Sequence, residues 1–279
     1  PLKIMLLKNS MRYTYYLFCA RDILSESTKI IAIDPSDPFS RAFMYARDCY
    51  KNKVLVIPFG FYTRGDREIP IDPRLSYGVP GMYSKKIIKE RSKSKSVSII
   101  GDVFEMGNMV SSNLDSSSVL FISAPHRNKA GTNGQVTKKQ YRKILHKLIK
   151  ICGNTKKLKV RPHPVDNNLN YLNQLASEKI IKISDSHEIT EGILVGFAST
   201  MFFDAISKNI PFICLVDGME NDYFELKKNG YPYVFDFNSN LENIFHLDNG
   251  CDFDDILKKY IERSGDGAIN RLVQFLKKI

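Results

Sequence analysis

The chain has 279 residues and a net charge of +11, with 43% hydrophobic and 25% charged residues. This composition is typical of a globular protein with one large domain or two smaller ones. It contains no apolar run near the roughly 20 residues that cross a bilayer, and its N-terminal apolar stretch is too short for a signal peptide. Five cysteines without a CxxC spacing argue against a disulfide framework and a zinc module. We therefore expect a cytoplasmic protein whose positive charge suits an anionic partner.

The first part of the chain predicts strands that alternate with helices. Strands are expected at residues 30–33, 53–58 and 97–100, and helices at residues 39–50 and 84–95. Residues 106–118, rich in Gly, Asn, Ser and Asp, are the best candidate for a linker. The resulting first domain, residues 1–110, is short for a doubly wound sheet, so we expect it to be incomplete at its N-terminus.

The alternation restarts in a second predicted domain, residues 111–279. Its expected strands are 119–123, 158–160, 180–183, 193–197 and 212–216, and its expected helices are 138–152, 168–178, 200–209 and 268–279. Strands that alternate with helices at this spacing indicate parallel βαβ units. The predicted fold class is therefore α/β, with two domains joined near residue 110.

A polar turn follows the predicted strand at 158–160 and consists of Arg161, Pro162, His163 and Pro164. The two prolines stiffen the turn and fix the direction of the side chains between them. Arginine binds phosphate in a bidentate manner, and histidine can donate a proton to a departing phosphate near neutral pH. Ligands of open α/β sheets bind outside the carboxyl ends of the strands, so this turn indicates an anion site. The alternative is a structural histidine.

A second polar cluster, Ser199 and Thr200, lies where a predicted strand gives way to a helix. Unpaired N–H groups and the helix dipole attract phosphate there, but serine and threonine are also the preferred N-caps. Asp204 follows one helical turn later and can accept hydrogen bonds from ribose hydroxyls, or simply stabilise the helix N-terminus. A third cluster contains His126 and Arg127, for which the alternative is a solvated loop.

Several other site classes lack support in the sequence. It contains no P-loop, no Gly-x-Gly-x-x-Gly after a strand and no metal-ligand spacing. A nucleic-acid partner would rest on charge alone, so we expect none.

Three segments together resemble the C-terminal half of GT-B glycosyltransferases: residues 158–164, 199–204 and 208–211. They look most similar to bacterial surface-polymer enzymes, namely CDP-glycerol glycerophosphotransferases, capsule polysaccharide transferases, and sialyl- and polysialyltransferases. Those enzymes carry a His-Pro motif and a Ser-Ser or Ser-Thr motif followed by Phe-Asp or a similar acidic pair. The resemblance covers residues 119–216 and, more loosely, 77–102.

Pro125, His126 and Arg127 are also loosely similar to the Pro-Thr-x-Arg element of the glycerophosphotransferases. They depart from it, since His126 replaces the threonine and Arg127 comes one position early.

The resemblance implies two Rossmann-like domains that face across a cleft, with the nucleotide donor bound mainly by the second. Carried over by position, His163 would be catalytic and Asp204 would lie near the ribose. The donor phosphates would be bound by Arg161, Ser199, Thr200, His126 and Arg127. No metal and no cofactor other than the donor substrate are implied. The acidic base expected in the first domain matches no motif, and the candidates for it are Asp34, Asp37 and Asp66.

The predicted function is metal-independent transfer of a sugar or glycerophosphate from a CMP-, CDP- or UDP-linked donor. The acceptor would be a glycan or lipid-linked molecule in capsule polysaccharide and cell-envelope synthesis. The basic surface would contact the anionic inner face of the cytoplasmic membrane. One alternative is a nucleotide-sugar 2-epimerase, although Gly196 to Ser199 does not match the Asp-Ser-Gly-Gly-type loop of those enzymes. Another is a non-catalytic remnant that binds a nucleotide or glycan.

Overall fold

The structure of the protein is a computed structural model. It describes residues 14–20, 22, 29–32, 42, 53–57, 71–73, 75–92, 96–103, 110–123, 136–153, 155–163, 169–185, 188–197, 199, 201–222, 224–246, 251–262 and 266–278. The chain divides into two compact units. The first unit comprises Pro1–Tyr62, Arg67–Phe104 and Lys259–Ile279, and the second comprises Thr63–Asp66 and Glu105–Lys258.

The described strands of the first unit form a parallel sheet in chain order: β1 (Lys29–Ala32), β2 (Lys53–Val56), β3 (Ser76–Val79) and β4 (Val97–Ile99). Helix α1 (Met82–Ser92) connects β3 to β4, which makes this pair a βαβ unit. The predicted helix at 39–50 lies outside the described residues except for Ala42.

The second unit contains the larger sheet, and its strands and helices also alternate. They are β5 (Val110–Ile122), α2 (Lys138–Cys152), β6 (Lys157–Arg161), α3 (Leu169–Ser177), β7 (Lys182–Ile183), β8 (Ile189–Gly196), α4 (Met201–Ile206), β9 (Phe212–Val216), β10 (Val234–Asp236) and α5 (Phe253–Tyr260), whose last two residues belong to the first unit. The strands are parallel and lie in the order β10-β9-β8-β5-β6-β7. Counted from β5, this is the 3-2-1-4-5-6 order of the Rossmann fold. The predicted α/β class is therefore confirmed.

Helix α2 shows why the local sequence folds as it does. Tyr141, Ile144, Leu145 and Leu148 share one face of the helix and are fully buried against the sheet. Thr137 caps the helix in a capping box with Gln140, and Gly153, at a φ of 47°, ends it. These signals explain why the predicted bounds, 138–152, are confirmed.

Residues 110–118 correct one prediction, because the expected linker forms the first part of β5. Val110 is paired with Ile189 and Asp115 with Glu191, with register shifts on either side of the second pair. Regular pairing begins only at Val119. A strand with so many serines and so few apolar side chains lacks the alternation by which strands are recognised.

The C-terminal helix α6 (Asp266–Lys278) packs in the first unit, although the sequence pattern placed it in the second domain. Leu272, Phe275 and Leu276 contact a core that includes Leu55 and Ile100. An apolar stripe predicts that a helix packs on something, but it does not say on which sheet. No helix of the described residues has the length and apolar character to span a bilayer.

Candidate functional site

The strand order of the second unit locates its expected ligand crevice. The topological switch point lies between β5 and β8, and ligands of such sheets bind outside the carboxyl ends of these strands. Gly196 ends β8, and a Cβ there would lie 2.9 Å from Phe212 Cζ and 3.4 Å from Ile122 Cβ. A glycine is therefore needed for the ends of these strands to pack closely. We call this edge of the sheet, where β5, β6, β8, β9 and β10 end, the carboxyl edge.

Arg161 is the last residue of β6 and is tied to two neighbouring segments. Its Nη2 donates to the carbonyl of Glu188 at 2.9 Å, and its Nη1 lies 3.9 Å from the sulfur of Met201. Its Nε is buried and has no hydrogen-bond partner among the described residues. Burial lowers the pKa of Arg161 from its ordinary value, and the carboxylate of Glu191 acts in the opposite direction. Two contacts thus hold the guanidinium in place, while its buried Nε–H is without a hydrogen-bond partner among the described residues.

Ser199 contacts the start of α4 as an N-cap. Its Oγ accepts a hydrogen bond from the Met201 N–H at 3.3 Å, and its carbonyl accepts one from the Phe202 N–H at 3.1 Å. The structure therefore shows the capping contact. A phosphate contact at the same helix end stays a prediction. Because Arg161 and Ser199 both contact Met201, the structure brings the ends of β6 and β8 together at α4.

The other predicted site residues divide into two groups. His163 and Asp204 are described, partly exposed, and positioned at the carboxyl edge, two residues after β6 and within α4. The remaining candidates lie outside the described residues: Thr200, His126, Arg127, Asp34, Asp37 and Asp66. Their roles stay predictions.

A polar cluster around Asp217 was missed from the sequence. Asp217 follows β9, and its carboxylate accepts hydrogen bonds from Gln140 Nε2 at 2.9 Å and Asn238 Nδ2 at 2.8 Å. The same Gln140 side chain accepts from the Thr137 N–H in the capping box, at 2.9 Å. This cluster links the first turn of α2 to the ends of β9 and β10. Its sequence signal is an Asp-Gly turn after a buried strand, with Gly218 at a φ of 81°.

Two features bear on what else the second unit can bind. Among the described residues, no group of three or more His, Cys, Asp or Glu side chains is arranged to hold a metal ion. Cavities of about 520 and about 620 Å³ are lined largely by residues near the amino ends of the strands, at the edge opposite the carboxyl edge.

No protein-family model and no curated protein matches this chain. Solved structures do resemble it. A putative UDP-N-acetylglucosamine 2-epimerase from Listeria monocytogenes superposes with a TM-score of 0.63 at 13% identity, over 95% of this chain and 78% of that one. A mutant of S. aureus TarM, solved in complex with Fondaparinux, α-GlcNAc-glycerol and UDP, gives a TM-score of 0.56 at 11% identity, over 93% of this chain and 58% of that one. Acinetobacter baumannii MurG gives a TM-score of 0.54 at 7% identity, over 97% of this chain and 79% of that one.

These similarities show the fold. The protein consists of two Rossmann-like domains of the GT-B type, as the motifs implied. They show the GT-B fold alone and do not single out the surface-polymer enzymes that the motifs resemble.

Proposed function

We propose that this protein transfers a sugar or a glycerophosphate from a nucleotide-activated donor to a glycan or lipid-linked acceptor. One observation supports this most directly. Arg161, His163 and Ser199 lie at the carboxyl edge of a sheet with Rossmann strand order, at or beside its switch point. The structural neighbours add that GT-B proteins of similar fold are named for a UDP-sugar or were solved with UDP.

The chemistry of such a transfer requires stabilisation of the negative charge that develops on the leaving phosphate. Arg161 is a fixed cation whose buried Nε–H has no hydrogen-bond partner among the described residues, and in the proposed complex its guanidinium shares charge with the donor phosphates. Ser199, with Thr200, His126 and Arg127, adds hydrogen-bond donors. His163 donates a hydrogen bond or a proton to the leaving phosphate, and Asp204 binds the ribose.

The proposal includes transfer without a metal ion, because cations of the chain neutralise the leaving group. Turnover is then unchanged by excess EDTA and is not increased by added Mg²⁺ or Mn²⁺. Loss of turnover on chelation, with recovery on adding a divalent ion, contradicts this part of the proposal alone.

The experiment for the main proposal measures nucleotide release from CMP-, CDP- and UDP-linked donors, with and without bacterial surface glycans as acceptors. We expect release that depends on the acceptor and is accompanied by incorporation of the donor's labelled group into the glycan. Release without incorporation would indicate hydrolysis rather than transfer.

A 2-epimerase is the second candidate, and the similarity to the Listeria protein favours it. That structure matches with a TM-score of 0.63 over 78% of its length. Against it, residues 196–199 read Gly-Phe-Ala-Ser and not the Asp-Ser-Gly-Gly type expected of such enzymes. Incubation with UDP-N-acetylglucosamine in D₂O without an acceptor separates the two, because an epimerase incorporates deuterium at C2 and a transferase does not. Nucleotide binding without either reaction would indicate the non-catalytic remnant.

A further inference from the structure

A groove of about 620 Å³ lies where β6 and β7 begin and where α2 and α3 end. Five lysines line it, and we call it the lysine groove: Lys156, Lys157, Lys159, Lys179 and Lys182. Because β6 rises by about 3.3 Å per residue, Lys157 at its start lies roughly 13 Å along the strand from Arg161 at its end. The lysine at the start of β6 is therefore distant from the candidate site at the carboxyl edge, whereas Lys159 lies closer to it.

The positive charge of the groove is only partly compensated. Lys159 Nζ donates to Glu191 Oε1 at 2.6 Å, and Glu191 is almost fully buried. Asp115, whose carboxylate accepts hydrogen bonds from two serines, is the only acidic residue among the described residues that line the groove. An excess of three positive charges is left. None of the salt bridges between described residues involves the other four lysines of the groove: Lys156, Lys157, Lys179 and Lys182.

Stabilisation of the fold does not explain this excess of positive charge. Lysines near helix C-termini offset the helix dipole, which accounts for Lys156 after α2 and Lys179 after α3. It does not account for Lys157 and Lys182, which lie in strands. Lys182 is the direct partner of Lys159 in the β6–β7 register, an unfavourable pairing of like charges. Lys179 has a φ of 59°, a conformation that glycine adopts at lower cost.

Exposed aliphatic side chains lie beside these lysines. Ile180, which follows Lys179 and lines the groove, is 43% exposed, and Leu114, next to Asp115, is 41% exposed. Lysines around an exposed aliphatic residue match a surface of anionic lipid, where headgroup phosphates meet the cations and the aliphatic group enters the interface. A soluble polyanion would use the lysines but not the isoleucine.

We infer that the lysine groove binds the phosphate headgroups of an anionic phospholipid membrane, with Ile180 entering the headgroup layer. The chain then rests on the membrane through the amino edge of its second sheet, and the carboxyl edge is left accessible. This inference does not depend on the proposed transferase activity, and its test does not measure activity.

The test is co-sedimentation of the full chain with vesicles at 0.1 M NaCl. One set of vesicles is pure phosphatidylcholine, and the other contains phosphatidylcholine and phosphatidylglycerol at a ratio of seven to three. We expect at least tenfold stronger partitioning to the anionic vesicles. One lysine near an anionic surface contributes about fivefold, so Lys157→Gln/Lys182→Gln should weaken binding by about 25-fold. The matched control, Lys143→Gln/Lys227→Gln, removes two exposed lysines that do not line the groove and should stay within about threefold of the wild type.

A second variant, Ile180→Ser, distinguishes a membrane from a soluble polyanion. It should weaken vesicle binding several-fold but leave binding of soluble polyphosphate unchanged. The inference is overturned if the wild-type chain does not distinguish the two vesicles, or if both double variants lose binding equally. It is also overturned if the groove variant loses polyphosphate binding and keeps vesicle binding. All variants change exposed side chains, and unchanged melting temperatures confirm that they are folded.

Discussion

The Nη1 of Arg161, at the end of β6, lies 3.9 Å from the sulfur of Met201, the first residue of α4. The same guanidinium donates through Nη2 to the carbonyl of Glu188, just before β8 begins. Only residues 184–188 connect β7 to β8, far fewer than the dozen or more of a usual parallel crossover. Arg161 thus stabilises the short connection between β7 and β8. Its guanidinium also places a positive charge next to α4, the helix that Ser199 caps.

Arg161→Lys tests this double role, because lysine keeps the charge but cannot reach both Glu188 and Met201. We expect a stability loss of about 1.5 kcal/mol in urea unfolding, the size of one hydrogen bond that involves a charged group. We also expect about tenfold weaker nucleotide binding by calorimetry, because the remaining point charge is no longer held in place. A variant that keeps both its stability and its affinity would show that the guanidinium contacts are incidental.

His163→Ala tests the proposed role of His163 at the leaving phosphate. Loss of a general acid lowers turnover by about a hundredfold or more, whereas the binding of the free nucleotide should change little. The matched control is His246→Ala, which removes another histidine that is exposed and has no proposed role. Equal turnover in the two variants would remove His163 from the mechanism.

Much of the second unit was predictable from the sequence, since its helices carry amphipathic stripes and caps and its central strands are short apolar runs. The bounds of α2 and the positions of Arg161 and Ser199 at strand ends followed from those signals. The first part of β5 did not, because its serines and asparagine resemble a linker. The partner of α6 and the Asp217 cluster depend on contacts between residues distant in sequence, Gln140 and Asp217 among them, which no local pattern encodes.

Tyr231→Phe tests the packing that supports β9. The Tyr231 hydroxyl is buried, accepts from the Phe212 N–H at 2.9 Å and donates to the Phe212 carbonyl at 2.7 Å. Removal of the hydroxyl leaves the buried N–H and carbonyl of Phe212 without this hydrogen-bond partner. We therefore expect a loss of about 2 kcal/mol in the free energy of unfolding. Tyr171→Phe makes the same chemical change at an exposed bond to His146 and should cost less than about 0.5 kcal/mol.

The Lys159–Glu191 pair predicts a pH-dependent stability. Burial by itself would raise the pKa of Glu191, but hydrogen bonds from Lys159 and Thr190 and the charge of Lys159 outweigh it and hold the pKa below its ordinary value of 4.5. Since the folded state binds this proton less readily than the unfolded state, the contribution is full above about pH 4.5. It is lost as the pH falls through the folded pKa.

Glu191→Gln should therefore destabilise the protein at pH 7, by about 3 kcal/mol for a buried pair that loses one charge. The difference from the wild type should narrow as the pH is lowered from 5 to 3. Asp255→Asn, which breaks an exposed pair with Lys258, is the control and should change stability little. A difference that stays constant with pH would show that the Glu191 carboxylate is not stabilised by Lys159.

The central claim is that the carboxyl edge of the second sheet binds a nucleotide-activated donor. Calorimetric titration of the full chain with CMP, CDP, UDP and GDP tests it most directly, with two double variants alongside. We expect that one nucleotide binds selectively, that Arg161→Lys/Ser199→Ala weakens it by about tenfold or more, and that Lys157→Gln/Lys182→Gln leaves it unchanged. The claim is contradicted if no nucleotide binds, or if the lysine-groove variant loses the nucleotide while the carboxyl-edge variant retains it.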